Sequence, residues 1–561
     1  MNATQRVSTE GSGWRWALPA LLFVAPLLLW PAGTILVQGL APDGRLSVDV
    51  ARAVAGDAYY WERLAFSLGQ AAASTTLALV VGLPAAWVFA LVRFPGRSLL
   101  RALVTVPFVL PTIVVALAFE RLLGPGGWAG RAAEAMGLAM PGVSGTIWAI
   151  LLAHVFYNVS VVIRIVGGVW ANLDPATLEA AQMLGAGRIR RFTAVTLPAL
   201  LPAVLSASAL VFMFCFTAFG TVLLLGGGDP HLDTLEVVVY RLTTRLVDLP
   251  EASVVAIAQV LTTVLVLLVY AQLQRRVARP LGQRARHARR LRDLGWGQRL
   301  LVLLVLALLT AFVVVPLGAL VHGALTVGNE GRLTTEHFAR LFEDSGNTSY
   351  VAPASALRWS LTFALGSTAI ALLVGLAAGM AVARSRGVLG VLYDGAFMLP
   401  LAIPAVTLGF GYLVTFNRAP VDLRGSAVLV LLAHALIGYP FVMRAVLGPV
   451  RALDPELVEA ARMLGASRRR AWLRVTLPLV ARGLFVGAAF AFGISLGEFG
   501  ATLLLQRQEF ATVPVAIYEA LGRPGDANLG AALAMATVLM GVSAAAFFVI
   551  ERVRYREVGE F

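Results

Sequence analysis

Apolar runs of about 20 residues recur along the whole chain, and each can cross about 30 Å of hydrocarbon as a helix. Twelve are expected, near 14–40, 62–92, 99–120, 143–168, 199–226, 251–273, 299–325, 358–383, 391–415, 425–448, 479–505 and 527–550. Helix is the expected state because hydrocarbon offers no partner to a backbone N–H or C=O, and a helix satisfies its own. The composition agrees: 58% of the residues are apolar, 14% are charged, and the mean hydropathy is +0.80. The expected class is an all-α integral membrane protein. The first run is long and no convincing small-residue cleavage site follows it, so it reads as a retained span and not a signal peptide.

The formal charge is +14, and all 45 basic residues are arginine. With no lysine there is no Walker A lysine and no Schiff-base lysine, so this chain is not expected to hydrolyse ATP itself. The lone Cys215 excludes an intrachain disulfide and a cysteine-rich zinc site. With both termini and the even loops placed in the cytoplasm, most arginines fall on that side and most acids on the other, as the positive-inside rule requires. The central loop carries Arg275, Arg276, Arg279, Arg284, Arg286, Arg289, Arg290 and Arg292, with Arg299 just beyond. It reads as a topogenic, solvated linker; the alternative is a specific contact with membrane lipid or a regulatory one. Nucleic acid is not an expected partner, because the arginines follow the membrane sides and not one face.

The chain is a tandem duplication. Leu173-Asp174-Pro175, Glu179-Ala180-Ala181, Met183-Leu184-Gly185-Ala186 and Val195-Thr196-Leu197-Pro198 recur as Leu453-Asp454-Pro455, Glu459-Ala460-Ala461, Met463-Leu464-Gly465-Ala466 and Val475-Thr476-Leu477-Pro478, always 280 residues later. Leu152-Ala153-His154 recurs as Leu432-Ala433-His434, and Phe219-Gly220 as Phe499-Gly500. Six spans per half is an even number, so the repeats enter the membrane in the same sense. The expected units are a first repeat over 1–273, an arginine-rich cytoplasmic linker over 274–298 and a second repeat over 299–561.

The repeated segments, 172–198 and 452–478, fall in cytoplasmic loops between the fourth and fifth spans of each half. Asp174 and Asp454 are N-cap acceptors followed by a proline at the first helical position. Glu-Ala-Ala continues the helix, and Gly185 or Gly465 ends or bends it. Leu178, Ala181, Met183 and Leu184 give one apolar side, as do Leu457, Ala461 and Leu464; arginines follow each glycine. The product is a short amphipathic helix able to dock in a partner's groove.

The pattern Glu-Ala-Ala, three residues, Gly, nine residues, an aliphatic residue, one residue, Leu-Pro resembles the EAA loop of ATP-binding-cassette (ABC) importer permeases. Both copies match at every fixed position, with Val195 and Val475 in the aliphatic place. The resemblance covers nearly the whole chain and implies the type I ABC importer permease fold: about twelve transmembrane helices in two parallel six-helix repeats. It implies that Glu179, Ala180, Ala181, Gly185, Glu459, Ala460, Ala461 and Gly465 contact two copies of an ABC ATPase subunit through coupling helices. ATP and Mg would sit on those subunits, with no cofactor, catalytic residue or metal on this chain. A periplasmic or lipid-anchored solute-binding protein would deliver substrate, and the setting would be the bacterial inner membrane.

Fused two-repeat permeases occur in the thiamine and iron(III) branches of that family. Val211 to Phe216, Phe219 to Leu223, Leu152 to Asn158, Ile494 to Gly500 and Phe510 to Tyr518 look like the thiamine type, with Thr234-Leu-Glu236 leading to Tyr240 as the first-half counterpart. The iron(III) branch shares the arrangement and an acid near Glu498. A secondary transporter driven by an ion gradient also uses repeats, but it leaves two matched cytoplasmic helices unexplained.

An ionisable residue inside a span costs about 2.5–3.5 kcal/mol on insertion scales and usually faces protein or water. Glu498, with Ser495 and Phe499 beside it, is the leading candidate for the substrate path. Its charge would suit a cation, and Phe499 or Phe216 offers a π face; the alternative is a buried carboxylate bonded to a neighbouring helix or to an arginine. Tyr157, Asn158 and Tyr439 complete the candidates, each able instead to serve packing. His154 and His434 lack nearby carboxylates at ligand spacing and read as interhelical hydrogen-bond partners. Pro107, Pro111, Pro400 and Pro404 should kink or unwind the third and ninth spans.

Overall fold

The computed structural model describes residues 13–42, 44–138, 142–277, 288–327, 332–342, 351–418, 421–423 and 425–555. The linker arginines Arg279, Arg284 and Arg286, and both chain termini, lie outside the described residues.

The first half runs α1 (Gly13–Leu40), α2 (Ala58–Leu91), the bent pair α3 (Arg97–Val109) and α4 (Thr112–Leu123), α5 (Ile147–Ala171), the short loop helix α6 (Pro175–Met183), α7 (Arg188–Phe216), the short α8 (Gly220–Leu225) and α9 (Leu235–Arg241), and α10 (Leu249–Tyr270). The second half repeats it as α11 (Trp296–Ala324), α12 (Pro353–Arg384), α13 (Gly387–Met398), α14 (Ala405–Thr415), α15 (Ala427–Arg451), α16 (Pro455–Met463), α17 (Arg468–Gly497), α18 (Gly500–Leu505), α19 (Val513–Leu521) and α20 (Asp526–Phe548). Each helix of the second half therefore matches the one ten places earlier. Among the described residues ten helices are long and apolar enough to span, and the two bent pairs bring the number to twelve.

The bends fall where the prolines place them. The chain turns by 106° after Val109 and by 91° before Ala405. Leu110 (ψ 141°) and Ile403 (ψ 121°) are extended, the conformation that a following proline imposes. Two other spans depart from the expected continuity. The fifth and eleventh were expected to run unbroken to 226 and 505; the helices end at Phe216 and Gly497 and restart at Gly220 and Gly500. A Cβ on Gly220 would lie 2.6 Å from Thr112 Oγ1, and one on Gly500 would lie 3.1 Å from Val406 Cγ2. The breaks thus press these glycines against the first turns of α4 and α14. They also put Glu498 at a helix junction and not within a span.

The halves exchange their first helices. Ala17, Ala20 and Val24 of α1 are buried with Val374, Ala377, Ala378 and Ala381 of α12. Small residues allow that close approach, which substitutes for a hydrophobic driving force inside a bilayer. Conversely, Phe312 of α11 packs edge-on against Phe119 and Phe156 of the first half, with centroids 6.4 and 5.9 Å away. The outer face of α11 is left to lipid, with Leu300, Leu301, Leu304 and Leu308 exposed. The last helix of the first half runs on to Val277, and Arg289–Arg290 forms a two-residue parallel pairing with Val92–Arg93.

Candidate functional site

Two features stand out, one at the loops and one between the halves. The loop helices α6 and α16 are built alike. Asp174 accepts from Ala176 N (3.0 Å) and Asp454 from Glu456 N (2.9 Å), each before a proline. At the other end Gly185 and Gly465 take φ of +77° and +85°. Ala186 N then donates to Ala181 O and Ala466 N to Ala461 O, both at 3.0 Å, closing the end in the manner of a Schellman cap. No residue of either helix is buried. Met183 and Leu184 are 88% exposed, and Met463 and Leu464 89%. Two matched apolar tips presented to solvent need a partner surface to cover them.

The second feature lies between the halves. Phe219 and Phe499, equivalent in the repeat, stack on each other with centroids 5.6 Å apart and planes 27° apart. Equivalent residues that touch must flank the axis relating the two copies. Tyr240 meets Phe219 at 5.3 Å and Tyr518 meets Phe499 at 5.6 Å, both inclined at 61°. Phe219, Phe499 and Tyr240 are buried, so the rings close the space between the halves at this level. Their π faces could accept a cation if they parted. The stretch leading into α9, which carries Tyr240, is held by Asp233, paired with Arg241 at 3.0 Å. Burial pushes the Asp233 carboxyl up to about 6, against the pull of Arg241 and Arg63.

Glu498 is 7% exposed and fully engaged. Its oxygens accept from Ala501 N and Thr502 N, both at 2.9 Å, and from Thr502 Oγ1. It therefore caps α18, and its Oε2 lies 3.4 Å from His434 Nε2. His434 also spans Ser495 Oγ (2.7 Å from Nδ1) and Thr502 Oγ1 (2.8 Å from Nε2). In the first half His154 spans Ser74 Oγ (3.0 Å) and Thr221 Oγ1 (3.2 Å) across helices, with no acid in the set.

The structure brings Ser495 and Glu498 together around His434, and turns Phe499 to the opposite half. It does not gather the other path candidates there. Phe216 stacks on Phe212 (6.0 Å) within α7. Asn158 donates to His154 O (2.9 Å). Tyr157 donates to Pro111 O (3.0 Å) and Tyr439 to Phe397 O (2.7 Å), so each tyrosine braces a broken helix of its own half. One residue that the sequence did not single out for the site is Glu236. It crosses between halves: its Oε1 accepts from Val406 N (2.8 Å) and its Oε2 from Thr407 Oγ1 (3.3 Å), capping the first turn of α14. Its repeat counterpart is Pro514, so the symmetry gave no signal for it. We expect Glu236→Ala to loosen the halves and lower the thermal midpoint of the purified chain, since two buried donors are left unmet at about 1–3 kcal/mol each; an unchanged midpoint would show that the contact carries no load.

Two parallel bundles of spans, a buried aromatic closure on the axis between them and one exposed loop helix per half define a multi-pass membrane permease. The chain belongs to the family of binding-protein-dependent transport system inner membrane components, which it matches twice, over residues 78–281 and 355–556. It is a transport subunit and not an enzyme. Among relatives, it is 28% identical over 468 residues to the thiamine transport system permease protein ThiP of Brucella abortus (strain 2308), covering 83% of each chain. It is 27% identical to ThiP of Escherichia coli (strain K12), over 90% of this chain and 91% of that one. It is 26% identical to the probable ABC transporter permease protein y4fN of Sinorhizobium fredii (strain NBRC 101917 / NGR234), over 96% and 94%. A crystal structure of a bacterial ABC transporter involved in alginate import superposes on 47% of this chain and 96% of its own, at 18% identity and a TM-score of 0.41.

Proposed function

We propose that the chain is the fused permease subunit of a thiamine importer in a bacterial inner membrane, with both termini cytoplasmic. The observation that carries the ATP-driven reading is the matched pair of loop helices, α6 and α16, each ending in an exposed Met-Leu pair. Glu179, Ala180, Ala181 and Gly185, with Glu459, Ala460, Ala461 and Gly465, would seat in clefts of two ABC ATPase subunits that hold the ATP and Mg. Closure of those subunits would move the two halves together or apart. A solute-binding protein would release substrate at the outer face while the Phe219–Phe499 closure parts. Thiamine is favoured over iron(III) because two of the three relatives above are thiamine permeases and because four aromatic rings meet at the axis, where a cation could find π faces. Glu498 and Ser495 would act behind Phe499, holding the α17–α18 junction, and Phe216, Tyr157, Asn158 and Tyr439 would stiffen the walls.

Reconstitution tests this reading. Proteoliposomes holding the chain, the ATPase subunits and the binding protein should take up labelled thiamine only with ATP. Uptake by the chain alone on a proton or sodium gradient would overturn it in favour of a secondary transporter. A binding protein that retained iron(III) and not thiamine would move the assignment to that branch. The double variant Phe219→Ala/Phe499→Ala should open the closure: passive leak of thiamine from loaded vesicles should rise at least about tenfold, since two stacked aromatic side chains leave a void far larger than a water molecule. An unchanged leak would mean that the rings do not bar the path.

A further inference from the structure

The cytoplasmic end of α2 and the last part of the linker form a shallow, open basic pocket that the transport reading leaves unused. Its frame is the parallel pairing of Val92–Arg93 with Arg289–Arg290. The pocket, of about 550 Å³, is lined by Arg93, Arg290, Arg292 and Arg299 over an apolar floor of Phe94 and Leu291. That floor is anchored, because Phe94, Leu291 and Leu294 pack against buried Val88, Val92 and Val302. Among the described residues only Arg292 of the four has an acid within 4 Å, Asp293 at 3.8 Å. Arg299 donates from Nη2 to Arg292 O (2.7 Å), while its buried Nε has no acceptor. Like charges held this close repel unless an anion joins them. The guanidinium fork matches the oxygens of a phosphate.

The depth of the pocket indicates where that phosphate comes from. Trp296, three residues before Arg299, opens α11 and is 78% exposed, the mark of an indole lying at headgroup level. Below it Leu300, Leu301 and Leu304 face outward, a surface suited to acyl chains. We propose that the pocket binds the phosphoryl group of an anionic phospholipid of the cytoplasmic leaflet. Its walls come from both halves, the turn after α2 and the start of α11, so the bound lipid fastens the linker to the first half.

Native mass spectrometry of the full chain, titrated with dioleoylphosphatidylglycerol, tests this. The wild type should bind the lipid about fivefold more tightly than Arg93→Gln, and about thirtyfold more tightly than Arg290→Gln/Arg299→Gln, each arginine contributing comparably at a membrane surface. The control Arg469→Gln/Arg474→Gln, at the cytoplasmic surface near α16, should match the wild type. Dioleoylphosphatidylcholine should bind weakly to all four proteins. Arg93→Gln lies at the exposed rim and keeps the test available should the double variant fail to fold. Equal phosphatidylglycerol affinity in wild type and pocket variants would overturn the proposal. So would displacement of the lipid by millimolar inorganic phosphate, which would assign the pocket to a soluble anion.

Discussion

A chain carrying Gly465→Asp is expected to insert normally and to lose transport. Gly465 has φ +85°, and a Cβ there would meet nothing within 4 Å, so the substitution is not barred by crowding. The cost is conformational: an L residue in the left-handed region pays about 1–2 kcal/mol, and the chain can escape it by unwinding the end of α16. That end carries Met463 and Leu464 and sets the direction in which the chain re-enters the membrane through α17. Because the strain is confined to an exposed loop, yield and thermal midpoint should stay near wild type. ATP-dependent uptake in proteoliposomes should fall at least about tenfold, while the ATPase subunits keep a basal turnover that no longer responds to the binding protein. Normal uptake by the variant would remove the coupling role from this loop.

Glu498→Ala should have the largest effect on stability. It removes the cap of α18, leaves Ala501 N–H and Thr502 N–H without acceptors and takes the carboxylate from beside His434, which keeps Ser495 and Thr502 as partners. Two buried donors left unmet cost about 1–3 kcal/mol each, and the Thr502 hydroxyl loses its acceptor as well. Glu498→Gln retains one acceptor oxygen and should lose about half as much. Thermal unfolding of the purified protein in detergent reads the order wild type, Gln, Ala. If both variants unfolded like wild type while uptake failed, the carboxylate would be meeting substrate instead of supporting the α17–α18 junction.

The sequence is informative about this protein where local chemistry decides the outcome. Asp-Pro starts and Gly ends place α6 and α16, because capping depends on neighbours within a few residues. Pro111 and Pro404 locate the two sharp turns for the same reason. Contacts that cross between segments were harder to see. Glu498 looked like a charge in mid-span because the apolar run continues past it to Leu505, and only the approach of Gly500 to Val406 shows why the helix must break. Phe219 and Phe499 were visible as a repeated pair, but nothing local says that equivalent residues meet. The exchange of α1 and α11 is silent for a similar reason: Ala17, Ala20 and Val24 would suit any small-residue groove.

Joining two permease copies in one polypeptide has a consequence for how the copies can evolve. In a dimer of identical subunits, any residue at the axis appears on both sides. Here Glu236 faces Val406, while its counterpart Pro514 belongs to the other side, and Glu498 stands where the first half has Ala218. In the fused chain one half carries the carboxylate that caps the other's helix end, with no obligation to repeat it. The tether guarantees that pairing at every synthesis, so lopsided solutions become heritable, and a path through the middle need not treat its cargo the same way on both sides.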